Sequence, residues 1–167
     1  MRRYFRRRTL SDQLSLTNTI VELPNEAVIH EIGLLLTVTV SNSDSSAHST
    51  TIEDIAKNIE IRVEADGGVV NYALKFRDLL IDNYYRFRGK VYNDLGTSVS
   101  VGASSTTNVT LFGVLAEAPL HAILRNRVIT KMSVDTTIDS NLSISAVTGK
   151  LTIYEEVFGT LEDYSNI

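Results

Sequence analysis

Apolar and polar residues alternate along most of this chain, and a period of two marks strands with one buried face. In residues 13–21, Leu14 and Leu16, then Ile20 and Val21, stand among Ser, Thr and Asn, before Pro24 and Asn25 break the pattern. Residues 29–40 carry the clearest strand, with Leu34, Leu36, Val38 and Val40 facing one way and Leu35, Thr37 and Thr39 the other. Residues 41–49 are Ser, Asn and Asp with one Ala and one His, a solvated loop by composition. Thr50 stands three residues before Glu53, a capping-box spacing, and Ile52, Ile55 and Ala56 follow at helical intervals, which predicts a helix of one or two turns.

Ile59, Ile61 and Val63 alternate with Glu60, Arg62 and Glu64; Asp66, Gly67 and Gly68 then supply a tight turn into residues 69–74, so a β-hairpin is expected. Phe76, Leu79, Leu80 and Asn83 share one helical face, with Arg77, Asp78 and Asp82 opposite, and this helix ends near residues 86–89. Residues 93–107 are rich in Gly, Ser, Thr and Asn, and Val99 and Val101 place an edge strand inside that loop. Residues 109–116, 123–134 and 142–147 each read as strands, and Thr148, Gly149 and Lys150 turn the chain into residues 151–158, a C-terminal hairpin. The sum is an all-β chain: an antiparallel β-sandwich, Greek-key or jelly roll, of about eight strands with one or two short helices in the connections.

Length and composition agree with that picture. The 167 residues suffice for one domain with its own core, and 43% hydrophobic with 22% charged residues is an ordinary globular mixture. Zero cysteines exclude disulfide frameworks, zinc knuckles and thiol nucleophiles. Neither a signal-length apolar run nor a stretch of roughly 20 apolar residues occurs, so no secretory signal and no transmembrane segment are expected. Charge adds an asymmetry: Arg2, Arg3, Arg6, Arg7 and Arg8 put +5 into the first eight residues, which leaves −9 on the remainder of a chain whose net charge is −4. Residues 1–10 therefore read as a basic arm, 11–160 as one sandwich domain and 161–167 as a C-terminal tail.

Candidate chemistry is sparse. His30, His48 and His121 are far apart and form neither HxH nor HExxH, whereas a cupin-type metal site needs about three histidines and a carboxylate on adjacent strands. No GxSxG elbow, GxGxxG or Walker pattern is present. Glu53 with Asp54, Glu155 with Glu156 and Glu162 with Asp163 are adjacent carboxylates, which on a strand point to opposite faces and read as solvated surface rather than as an acid/base pair. The sequons at Asn108 and Asn141 have no secretory signal to give them meaning. No catalytic residue, cofactor or metal ligand is assigned, and the chain is read as a non-enzyme.

Two clusters suggest contact with partners. In the arm, Tyr4 and Phe5 interleave with Arg2, Arg3, Arg6, Arg7 and Arg8, a composition suited to phosphate contacts and to shallow insertion at an interface; the plainer reading is a solubilising tail. Removing residues 1–8 is expected to leave folding intact yet to weaken assembly or anionic-lipid binding, an effect that added salt should imitate. Tyr84, Tyr85, Arg86, Phe87 and Arg88 form an aromatic and basic cluster near a helix end, either a subunit contact or ordinary helix packing with snorkelling arginines.

The stretch Ile59-Glu-Ile-Arg-Val-Glu-Ala-Asp-Gly-Gly-Val-Val-Asn-Tyr-Ala-Leu, followed by Lys75-Phe-Arg-Asp-Leu-Leu, resembles the strand, turn, strand, helix segment of an upright single jelly roll. The chain is similar to the smaller major capsid proteins of tailless icosahedral double-stranded DNA viruses of bacteria and archaea with an internal membrane. The resemblance implies a virion capsid subunit that assembles through its lateral faces into capsomers, as a homo-oligomer and with a second, larger capsid protein. It also implies an arm near the internal membrane or a neighbouring subunit, without recognition of a specific nucleic-acid sequence. The alternative from a different class is a carbohydrate-binding or adhesion β-sandwich module, against which the absence of Trp counts.

Overall fold

The computed structural model describes residues 2–24, 27–65, 70–87, 95–115 and 128–159. Its strands are β1 (Arg2–Ser15), β2 (Ile20–Leu23), β3 (Ala27–Asn42), β4 (His48–Thr51), β5 (Ile59–Ala65), β6 (Val70–Lys75), β7 (Ser98–Val101), β8 (Thr106–Leu115), β9 (Val128–Val134) and β10 (Leu142–Gly159). Two helices lie between them, α1 (Ile52–Lys57) and α2 (Phe76–Arg86). Two four-stranded antiparallel sheets have the orders β1-β10-β3-β8 and β2-β9-β5-β6, and β4 pairs with β7. The pairs β1·β10, β2·β9, β3·β8, β4·β7 and β5·β6 are nested one inside the next, the pattern of one long hairpin rolled into a two-layer sandwich. That winding is a jelly roll.

Side-chain alternation explains the layers. Leu34, Leu36, Val38 and Val40 of β3, Leu151 and Ile153 of β10 and Leu111 of β8 point inward from one sheet. They form one cluster with Ile59, Ile61 and Val63 of β5 and Met132 of β9 from the other. Each such side chain contributes about 1.5–3 kcal/mol of burial, so the interleaved sheet faces dominate the stability of the fold.

Four expectations change. Residues 142–159 form one uninterrupted strand rather than a hairpin, with Thr148, Gly149 and Lys150 opposite Thr37, Leu36 and Leu35 of β3. A Cβ on Gly149 would sit 2.7 Å from Leu36 Cδ2 and collide with the Leu35 carbonyl, so this glycine serves close packing and not a turn. The strand read at 13–21 is two: β1 stops at Ser15, whose hydroxyl accepts the Asn18 N–H (3.0 Å), and β2 begins at Ile20. The helix cap is Thr51 and not Thr50, because Thr51 Oγ1 accepts the Asp54 N–H (3.0 Å) while Thr50 stays in β4 and is buried. Finally, the boundary expected at residue 10 is absent, because β1 runs through it as an edge strand. The turn at Asp66–Gly68, residues 116–127 and the tail at 161–167 lie outside the described residues.

Helix α2 closes the β8 edge. Its Phe76, Leu79 and Leu80 are buried, and Gly113 of β8 lets the helix approach, since a Cβ there would lie 2.6 Å from Leu79 Cδ2. Asn83 then acts as a short stretch of strand: its Nδ2 donates to the Val114 carbonyl (2.8 Å) and its Oδ1 accepts the Val114 N–H (2.7 Å). Asn83→Ala leaves both Val114 backbone groups buried without partners, so we expect it to lower stability by about 2–3 kcal/mol in a urea titration. A change below about 0.5 kcal/mol would show that the edge is satisfied without the side chain.

Candidate assembly surfaces

The arginine-rich segment is a strand with two chemically different faces. From Arg2 to Thr9 it pairs residue by residue with Gly159 to Thr152 of β10, before bulges interrupt β1 between Thr9 and Leu14. On the inward face, Arg6 Nε donates to Glu155 Oε1 (2.6 Å), and Arg8 reaches the same carboxylate from Nε (3.2 Å) and through a bond to Oε2 (3.3 Å). Glu155 is fully buried, while the two arginine side chains keep about a third of their surface exposed. Long apolar stems with charged heads at the rim let one carboxylate sit inside the sandwich mouth with two cations over it. Inward-pointing charge on an edge strand also discourages uncontrolled strand addition.

On the outward face Phe5 is 53% exposed and stacks on Tyr154, with ring centres 5.6 Å apart. His30 completes an aromatic group at 5.6 Å from Phe5 and 6.2 Å from Tyr154, and its Nε2 lies 3.2 Å from Glu156 Oε2. A β-bulge causes this: the register between β10 and β3 shifts at Tyr154/Glu155, so Ile29 points into the core and His30 turns outward. Arg7 beside them pairs loosely with Glu31 at 3.6 Å.

These contacts revise two expectations. Glu155 and Glu156 do point to opposite faces, yet both are buried rather than solvated. Residues 2–8 are not a dispensable tail, because removing them strips the edge of β10 and leaves Glu155 buried without its cations. Arg2 and Arg3 belong to the same strand.

The second cluster sits at the C-terminal end of α2. Tyr84, Tyr85 and Phe87 are 46%, 75% and 44% exposed, and the two tyrosine rings meet edge-on at 5.6 Å. Arg86 pairs with Asp82 one turn earlier (2.6 Å). Only Asn83 of this stretch faces the core, so the rings are not helix-packing residues. Arg88 lies outside the described residues.

At one end of the sandwich the loops are knitted together. Asn42 Nδ2 donates to the Ser46 (2.7 Å) and Gly102 (2.9 Å) carbonyls, and the Ser104 N–H reaches the Asp44 carbonyl (2.8 Å). The hydrogen bond from His48 (2.6 Å), helped by the Ser45 N–H, holds the Asp44 carboxyl below the usual range. The Asn141 and Leu142 N–H groups do the same for Asp139. Among the described residues no group of three His, Cys, Asp or Glu is placed to hold a metal ion, and no helix is long and apolar enough to cross a membrane.

No family model and no curated protein matches the sequence. Among solved structures the chain is similar to the STIV MCP, with TM-score 0.64 and 20% identity over 99% of this chain and 52% of that one. It is also similar to a chain of Sulfolobus Turreted Icosahedral Virus (TM-score 0.57, 19% identity, 93% of this chain and 45% of that one). A third is PBCV-1 VP54, fitted into a reconstruction of the virophage Sputnik (TM-score 0.51, 14% identity, 96% of this chain and 44% of that one). The chain shares the jelly-roll fold of these viral proteins. The chain spans about half the length of the capsid proteins it matches. Within this jelly roll the resemblance read from residues 59–80 holds for the fold: β5 and β6 pair as a hairpin, and α2 follows directly. Exposed aromatics stand on its β1 edge and at its α2 end. The Tyr84 group was legible from composition, whereas Tyr154 and His30 were not, because a bulge brings them to Phe5.

Proposed function

We propose that the chain is a structural subunit of a viral capsid, which assembles through the lateral faces of its jelly roll into capsomers of an icosahedral shell. The observation that carries this reading is the match of almost the whole chain to half of a known capsid protein. The nested winding and the exposed aromatics at two separate edges support it. The subunit acts by geometry and not as an enzyme, and its place is the virion. It associates with copies of itself and with a second, larger capsid protein.

The outward face of β1, with Phe5 and Arg7, and the Tyr84, Tyr85 and Phe87 group are the contact points. Aromatic and arginine side chains are the groups that most often anchor protein interfaces. The outward face of β1 meets a neighbouring subunit or the headgroups of an internal membrane, and in either case added salt weakens the Arg7 contribution.

Electron microscopy and native mass spectrometry of the concentrated chain test this reading. Regular rings or sheets are expected from the wild type, and Phe5→Ser with Tyr85→Ser should abolish them while the circular dichroism spectrum is unchanged. A chain that stays monomeric at every concentration and salt, or that binds glycans in preference to itself, would refute the capsid role.

A further inference from the structure

The first half of β1 is attached differently from the strands beside it. From Tyr4 to Leu10 no side chain is fully buried, whereas Leu14, beyond two bulges, is 2% exposed, and β10 and β3 are anchored in the core by Ile153, Ile32 and Leu34. Residues 2–9 lie on β10 through their ladder, through Arg6 and Arg8 on Glu155, and through surface contacts such as Phe5 on Tyr154. A segment with few buried apolar contacts opens at a lower free energy than the sandwich as a whole. The bulges at Thr9/Ser11 and Ser11/Leu14 mark where it ends, and Asp12 and Gln13 there are exposed.

Opening leaves a slot with strict requirements. The β10 edge from Thr152 to Gly159 loses its ladder, and Glu155 loses the cations of Arg6 and Arg8. A bare edge strand pairs with another extended segment, and a carboxylate that is to be buried again demands positive charge. Side chains two residues apart share a strand face, so the segment that refills the slot brings two cations at alternate positions. Among the described strands only β1 has them, as Arg6 and Arg8.

From these features we infer that residues 2–9 are an exchangeable strap, and that the β10 slot of one copy takes the same segment of a second copy. This goes beyond the capsid reading and needs only two molecules. Anchored at Leu14, the chain can carry Thr9 over a radius of roughly 17 Å, enough to leave its own β10 edge. The contacts made in the second copy are the ones given up in the first. Exchange therefore costs little once the concentration of chains approaches the effective concentration set by a short tether, about 1 mM.

Because the chain lacks cysteine, engineered cysteines report the exchange directly. Thr9 and Thr152 face each other in the β1·β10 ladder, so a full-length Thr9→Cys chain is mixed with a Thr152→Cys chain at about 1 mM and oxidised. A disulfide joining one chain of each kind, identified by its mass, should form in at least about tenfold higher yield than from Thr37→Cys mixed with Thr110→Cys, which face each other across β3 and β8. Melting curves check that all four chains fold. An excess of a synthetic peptide of residues 2–9 should compete and cut that yield at least about fivefold, and so should the peptide with Arg3→Met and Arg7→Met. The peptide with Arg6→Met and Arg8→Met, equal to the latter in charge, should leave the yield unchanged within about twofold. A mixed yield no higher than the β3·β8 control overturns the exchange. If the yield is high and all three peptides act alike, the slot does not select Arg6 and Arg8, and the assignment of its occupant falls.

Discussion

Replacing Arg6 and Arg8 together by Met lowers the stability of the fold by about 3–5 kcal/mol, the cost of leaving a buried ion without its partners. Glu155 has no exposed surface, and Arg6 and Arg8 both donate hydrogen bonds to its carboxylate. The informative comparison is the triple variant with Glu155→Met. Taking the carboxylate out of the core removes the need for the cations, and the resulting apolar cluster should fold at least as well as wild type. Urea titrations of the three proteins at neutral pH decide the matter. A triple variant no more stable than the double would mean that the arginines contribute through the packing of their stems and not by neutralising Glu155.

Gly149→Ala is expected to be nearly as damaging, by about 3 kcal/mol, with the melting temperature falling by roughly 6–12 °C. The new methyl group meets the Leu35 carbonyl, and it also lies 2.7 Å from Leu36 Cδ2 and 3.2 Å from the Leu36 Cα. Backbone atoms of a central strand cannot step aside as a side-chain tip can. Were Gly149 a turn residue, alanine would cost a few tenths to about 1 kcal/mol, so calorimetry separates the two roles. A drop in melting temperature under about 3 °C would return the glycine to a turn-like part.

Periodicity located most of the strands because burial on one side leaves a period-two trace. Residues 29–40, 59–64 and 109–115 carry that trace and lie within β3, β5 and β8. The failures share a cause. Glycine at 149 looks the same in a sequence whether it opens a turn or admits a neighbouring backbone, and only the partner strand distinguishes the two. A β-bulge is likewise silent: Ile29, His30 and Glu31 read as plain alternation, although the extra residue moves His30 out to Phe5 and Tyr154. Five clustered arginines suggested a free arm because their counter-charge, Glu155, is almost 150 residues away in the chain. Of the two candidate contact clusters, the one on α2 was visible because its residues are consecutive. The one on β1 was only half visible, since its remaining members come from β3 and β10.

The position of β10 has a consequence for how the molecule comes into being. Of the ten described strands it is the last to leave the ribosome, yet it lies between β1 and β3, among the first. Until it arrives, β1 and β3 have no strand between them, and Arg6 and Arg8 lack the Glu155 carboxylate. Completion of the layer is therefore a late insertion event, in which the newest segment must thread between the oldest, and loop-closure entropy is spent before the contacts repay it.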